Sequence, residues 1–307
     1  MHTAITIDAL KVLDAIDRKG SFAGAAAELF RVPSAISYTV QKLEEDLDLQ
    51  VYDRSGHKAA LTPAGRYLLN EGRALLEAAE NLAHTTRQVA QGWETRLRIG
   101  FNSLIPAQCL FPAVEDFYQL GVPVDVQIVE EVFAGAWDAL QSRRVDMIVG
   151  ADQLSKPAGA FTTKPLGSIP FVFVVAANHP LAGAYEPLTN SDIARYPAVV
   201  AADTSRSLPP GNAGIFQRQR TLTVSNIDQK IAAQEAGLGV GWVPLPRVRK
   251  QLVEGTLVAK TVEEERAPIG LHLARHADDQ GKAMMWFWER LSQDAELKRW
   301  ADAPTDT

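Results

Sequence analysis

Cysteine is almost missing from this 307-residue chain, where Cys109 stands alone. An intramolecular disulfide and a multi-cysteine metal site are therefore excluded, and a solitary cysteine reads as a small buried hydrophobe. Long apolar runs are missing too. No stretch approaches the roughly 20 residues that a bilayer crossing needs. The opening MHTAITIDALKVLDAIDRKG lacks the basic-then-apolar plan of a secretory signal, so the expected setting is cytoplasmic, with no membrane partner. Positive charge is in deficit, with 31 Lys/Arg against 37 Asp/Glu and a net charge of −6. That balance argues against bulk binding of polyanions. Catalytic signatures are missing as well. There is no Gly-x-Ser-x-Gly elbow, no phosphate loop ending in Lys-Ser/Thr, and no His/Cys/carboxylate cluster at metal spacing. The six histidines are scattered; His272 and His276 are four apart, but on a strand-to-loop segment. No catalytic residue, metal or cofactor is expected, and the chain does not read as an enzyme.

What is there begins with three helices. Ala9, Leu10, Val12, Leu13 and Ile16 have helical spacing across residues 6–19, and Gly20 closes that helix. Ser21 suits the N-cap of a short, alanine-rich helix, Phe22 to Leu29. Pro33 then suits the first position of a third helix. On it Ile36, Val40, Leu43 and Leu47 form an apolar stripe. Ser34, Ser37, Tyr38 and Gln41 occupy another face, while Glu44, Glu45, Asp46 and Asp48 crowd the far end. A short helix, a tight turn and a helix with an uncharged polar start form a helix-turn-helix, whose second helix enters the major groove by its N-terminal residues. Residues 1–62 hold nine Asp/Glu against seven Lys/Arg, so any DNA binding here depends on where charges lie. VYDRSGHKAALT (51–62) follows as a short hairpin with Arg54, His57 and Lys58 at its tip, a wing suited to phosphate or minor-groove contacts. Thr62-Pro63 opens a long helix to about Gly92. Leu68, Leu75, Leu82 and Val89 recur every seventh residue along it, with Gly72, Ala79 and Thr86 as small companions, and we assign this stripe to dimerisation.

From Arg96 strands and helices alternate. LRIGF (97–101), VPVDVQIV (122–129) and VDMIVG (145–150) read as strands, with helices at about 106–119 and along VFAGAWDALQSRR. This βαβαβ order predicts a parallel sheet covered by helices. PFVFVVAANHPL, AVVAAD and LTVSN begin a second such unit, and IGLHLARH with the last helix returns to the first sheet. Two lobes joined by two crossings make a hinged binder with its ligand in the cleft. Trp137 and Trp242 read as core.

The run GSFAGAAAELFRVPSAISYTVQKLEEDLDLQVYDRSGHKAALTPAGRYLL resembles the N-terminal signature of the LysR-type transcriptional regulators, and FVFVVAANHPLA and AAQEAGLGVGWVP resemble that family's effector domain. The likeness runs from about Ile7 to Leu291; RVPSAISYTVQKLEE, DRSGHK and AADTSR are similar to the YhaJ-like branch. The resemblance implies a winged helix-turn-helix (1–62), a linker helix (63–92) and a two-lobed, periplasmic-binding-protein-like effector domain (93–307). Lobe I would take about 93–164 and 267–300, and lobe II about 165–266. It implies a regulator that binds double-stranded promoter DNA as a homodimer or homotetramer, answers a small-molecule effector and has RNA polymerase as a further contact. The DNA-binding residues it implies are Arg31, Ser34, Ser37, Tyr38, Gln41, Lys42, Arg54, His57 and Lys58. Val32 and Pro33 stand where many members have Ser and Gln, and Tyr38 where Arg is common. By the same resemblance the effector residues are Asn102, Ser103, Glu131, Phe133, Asp203, Thr204, Ser205 and Asn226. Ser103 and Thr204 would lie near helix starts that favour an anion or polar oxygen. Phe133, replacing a small hydroxyl residue, suggests an apolar or aromatic ligand. The competing reading is a solute-binding module whose N-terminal helices only oligomerise.

Overall fold

The computed structural model describes residues 5–53, 60–209, 211, 214–216 and 218–301. Contacts divide the chain into two units, Met1–Ala90 and Gln91–Thr307.

The first unit carries α1 (Ile7–Lys19), α2 (Phe22–Glu28), α3 (Pro33–Leu47), the strands β1 (Tyr52–Asp53) and β2 (Ala60–Leu61), and α4 (Pro63–Ala90). Its caps are those the sequence supplies. The Thr6 and Ser21 hydroxyls accept from the Ala9 and Gly24 N–H groups, and Gly20 ends α1 in the left-handed region at φ 68°. Leu10, Val12, Leu13, Ile36, Val40 and Leu43 are buried together, and Ala25 and Ala26 let α2 sit close. Glu44 points back to accept from the Val51 and Tyr52 N–H groups (2.7 and 3.0 Å), which fixes the start of the β1–β2 hairpin. Tyr52 pairs with Leu61 and Asp53 with Ala60, antiparallel. The Thr62 hydroxyl accepts from Gly65 N–H at 3.0 Å, the expected cap of α4.

The second unit follows the order β3 (Arg96–Asn102), a 3-10 turn (Ala107–Leu110), α5 (Phe111–Tyr118), β4 (Asp125–Glu131), α6 (Gly135–Gln141) and β5 (Met147–Asp152). Then come β6 (Phe161–Ile169), β7 (Phe171–Ala176), α7 (Asn190–Ala194), β8 (Ala198–Ala201), β9 (Thr221–Val224), α8 (Ile227–Glu235) and β10 (Gly241–Pro244). α9 (Leu245–Glu254), β11 (Leu257–Lys260), β12 (Ile269–His276), α10 (Lys282–Ser292) and α11 (Ala295–Ala301) complete it.

Lobe I is a five-stranded sheet of order β4-β3-β5-β12-β6, with β3, β4 and β5 parallel and β12 antiparallel to both its neighbours. The return of IGLHLARH to the first sheet is thus observed. β6 belongs wholly to this sheet, since Ile169 pairs with Ile269, so the crossing falls after Ile169 and not near 165. Lobe II departs from a second βαβ repeat. β10 and β11 flank β7 on either side and both run antiparallel to it, because α9 carries the chain over β7 between them. Parallel pairing survives in β8–β9. Phe117, Phe287 and Trp288 fill the core under α5 and α10, and Trp137 is fully buried with its indole N–H on the Asp152 carbonyl (2.7 Å).

Candidate functional site

On α3 the apolar stripe faces inward, which leaves the other face to solvent. Ser34, Ser37, Tyr38, Gln41 and Lys42 are all exposed there, Tyr38 by 66%. Gln41 is drawn toward the acidic end by a 2.9 Å bond to Glu45. Val32 caps the helix without a side-chain bond, so neither a hydroxyl nor a carboxylate covers its first N–H groups. Beside it stands Phe30, missed from sequence, which is 97% exposed with φ 54°. Phe30, Val32 and Tyr38 give this edge an apolar character that could meet thymine methyl groups. Arg31 forms a two-pronged ion pair with Asp8 (2.7 and 2.9 Å) at the surface, where a phosphate can compete with it. Arg54, His57 and Lys58 lie outside the described residues.

The heptad stripe of α4 divides. Leu68 packs partly on the core of its own unit, and a Cβ at Gly72 would come within 2.7 Å of Leu10, so that small residue serves the α1 contact. Arg73 spans Asp14 and Asp17 on α1 at 2.8 Å each. Leu75, Leu82 and Val89 are exposed and form an unpartnered apolar line.

In the second unit a cavity of about 160 Å³ opens between the lobes. Asn102, Ser103 and Leu104 at the end of β3 line it, with Val132 and Phe133 after β4 and Asp152, Leu154 and Ser155 after β5. Lobe II contributes Phe171, Gly211, Ile227, Lys230 and Trp242, and Arg266 and Ile269 stand at the return crossing. Of the residues expected to hold an effector, Asn102, Ser103 and Phe133 therefore reach this cavity. Phe133 does so with φ 52°, a left-handed conformation rare for a bulky residue and typical of a ligand-facing turn.

Of the remaining expected residues, Glu131, Asp203, Thr204 and Asn226 tie the lobes together, while Ser205 bonds within its own loop. Thr204 accepts from Val132 N–H at 3.0 Å and donates to Glu131, which also accepts from Arg144 at 2.5 Å. Asp203 accepts from the Ala134 and Gly135 N–H groups (3.3 and 3.1 Å) and from those of Ser205 and Gly211. Among the described residues no helix directly follows Thr204, and the start of α6, across from it, is capped by the Asp203 carboxylate. A Cβ at Gly135 would overlap the Thr204 hydroxyl, so only glycine permits this approach. Asn226 caps α8 at Gln229 N–H and donates to Glu130 (both 3.0 Å), and the Ser205 hydroxyl bonds the Leu208 carbonyl. Asp138 accepts from Ser207, from the Arg206 and Leu208 N–H groups and from Arg144. Burial works to raise the Asp138 pKa, but the Ser207, Arg206 and Arg144 hydrogen bonds prevail and hold it well below the usual carboxylate range.

Two cleft cations escaped the sequence reading, Lys230 and Arg266. The signal for Lys230 was present, because it shares the buried stripe of α8 with Ile227, Ile231 and Gln234. Trp242, expected in the core, is half-buried and lines the cavity. Burial pushes the Cys109 thiol pKa up, which disfavours the thiolate.

Comparison with known proteins accounts for both units. Residues 7–66 match the model of the bacterial regulatory helix-turn-helix proteins of the lysR family, and 90–296 match that of the LysR substrate binding domain. The HTH-type transcriptional regulator YhaJ of Escherichia coli O157:H7 is 41% identical over 285 residues, covering 92% of this chain and 94% of YhaJ. YeeY of Escherichia coli K12, an uncharacterized HTH-type transcriptional regulator, is 36% identical over 291 residues, 95% of this chain and 94% of its own. An OxyR mutant from Corynebacterium glutamicum shares the fold with a TM-score of 0.59 at 20% identity, over 96% of this chain and 92% of that one. A helix-turn-helix with a bare reading edge and a two-lobed binding unit thus coincide, in order and across nearly the full length, with one family. The chain belongs to the LysR-type transcriptional regulators, and is a DNA-binding protein rather than an enzyme.

Proposed function

We propose that this regulator reads promoter DNA through the exposed N-terminal face of α3, with Ser34, Ser37, Tyr38, Gln41 and Lys42 at base edges and Arg31 on a phosphate. Arg54, His57 and Lys58 of the wing contact the backbone beside it. Two copies pair along Leu75, Leu82 and Val89, with Leu68 at the start of the stripe, into a homodimer or a dimer of dimers. A small-molecule effector enters the cleft between the lobes against Asn102, Ser103 and Phe133. Glu131, Asp203, Thr204 and Asn226 bind the lobes to each other and set how far they close, with Ser205 holding the loop that carries Asp203 and Thr204. Ligand-dependent closure changes the spacing of the paired reading heads and hence the DNA bend. The protein acts in the cytoplasm and adjusts RNA polymerase access from there.

The observation that carries this reading is the division of α3. Its buried stripe leaves an uncharged, exposed edge at the N-terminus, and its carboxylates stand at the other end. A mobility-shift titration with the duplex upstream of its own gene tests it. Binding should be sequence-selective and fall steeply with salt. Tyr38→Ala should weaken it by about 1–3 kcal/mol, with unfolding unchanged; Ser37→Arg, which places a long cation on the reading edge, should abolish selectivity. Equal affinity for a scrambled duplex, or full retention by both variants, contradicts the assignment.

A further inference from the structure

Lys230 is only 5% exposed, yet among the described residues no hydrogen bond or ion pair engages its ammonium. Each of the other buried charges has at least one partner among the described residues. Lys260 has Glu186 and two carbonyls, Glu131 and Asp138 share Arg144, Asp152 accepts from Ser155 N–H, Arg275 donates to carbonyls, and Asp294 holds Arg290. A buried ammonium left unpaired costs several kcal/mol in general, so an isolated one marks a site that is completed by something else. Lys230 lines the cleft cavity, and so does a second cation, Arg266. The Arg266 guanidinium lies over the Phe171 ring at 4.0 Å, which leaves its edge free for an oxygen anion.

Among the described residues no carboxylate of the cleft bonds to this pair. Asp152 is held by Ser155, Asp203 by four N–H groups, and Glu131 by Arg144 and Thr204. The remaining wall is mostly apolar, with Leu104, Phe133, Phe171, Ile227, Trp242 and Ile269, and Asn102, Ser103 and Ser155 add uncharged polar groups. Its volume of about 160 Å³ matches the roughly 150 Å³ that accepts one benzene ring.

We infer that the cleft takes a small organic monoanion, a carboxylate on an apolar body the size of a single ring, with Lys230 and Arg266 as its counter-charges. This assignment rests on the cleft being the effector site, and it adds an anionic head to the apolar or aromatic body that Phe133 suggests. Phe133 and Trp242 hold the ring while the cations hold the head. Burial, with the Arg266 charge beside it, pushes the Lys230 pKa down to about 7, so an anion arriving at neutral pH also draws a proton onto the site.

Benzoate is the probe, with benzamide as its neutral isostere and acetate as a head without a ring. Calorimetry on the full-length protein near pH 7 should show saturable benzoate binding with proton uptake, and no comparable binding of benzamide or acetate. Lys230→Met and Arg266→Gln should each weaken benzoate about tenfold or more. Both variants remove a charge and keep an uncharged stem, and an unchanged unfolding transition or a raised one establishes that they fold. Ile269→Trp, which fills the cavity from a half-buried position, should abolish binding. Benzamide binding as well as benzoate, or benzoate binding that survives both cation variants but not Ile269→Trp, overturns the anion assignment and keeps the cleft as the ligand site. Benzoate binding indifferent to all three variants overturns the cleft reading too, and no benzoate binding at millimolar concentration overturns the assignment outright.

Discussion

A lysine kept in a protein interior without an anionic partner acts against the fold, and Lys230 shows in which direction pH should tip that balance. Its ordinary value of 10.5 falls to about 7 because burial and Arg266 disfavour the charged form. The unfolded chain therefore binds this proton more tightly than the folded one between those values. The destabilisation is fully present below about pH 7 and is relieved as pH rises toward 10.5. Lys230→Met should accordingly raise stability at pH 7 by about 1–3 kcal/mol, and should remove the gain that wild type shows between pH 7 and 10. Denaturant midpoints at the two pH values check this; a variant less stable than wild type at pH 7 contradicts it. This residue was legible in part, since a lysine at position 230 falls in a helical stripe with Ile227 and Ile231. Arg266 was not legible. It comes from an irregular segment before β12, and only the return crossing brings it to Phe171.

At the scale of elements, capping chemistry made the N-terminal helices readable almost residue by residue. Gly20, Ser21, Pro33 and Thr62 each stop or start a helix for a local reason. Strands β6 and β11 and helix α9 escaped because no local signal marks them. β6 reads FTTKPLGSI, and its Pro165 and Gly167 argue against a strand until its position at the sheet edge is known. The register with β12 shifts beside Pro165, between Leu271 and His272, which is how the edge absorbs it. The heptads of α4 were visible, but their division was not. Gly72 and Leu68 serve the unit's own core, while Leu75, Leu82 and Val89 stay exposed. If that exposed line is the dimer seam, Leu82→Glu should convert the protein to monomer at micromolar concentration in sedimentation analysis. The unfolding midpoint of the DNA-binding unit should move by no more than about 0.5 kcal/mol, because the site is at the surface of that unit. An unchanged sedimentation coefficient would place the contact elsewhere.

For the whole molecule, a net charge of −6 means that affinity for DNA at large is weak and that discrimination must come from a few well-placed groups. The fold class, the two-unit order and the return crossing followed from the order of elements alone. The antiparallel build of lobe II and the closed contacts between Asp203, Thr204 and α6 did not, because they depend on residues about 70 positions apart in the chain. The central claim, a paired reader that recognises sequence through the start of α3, is tested most directly by selecting bound duplexes from a random pool with the full-length protein. Enrichment of an inverted repeat with half-sites about one or more helical turns apart, lost with Tyr38→Ala, is the expected result. A pool that stays random with wild type, or an identical consensus from the variant, would contradict it.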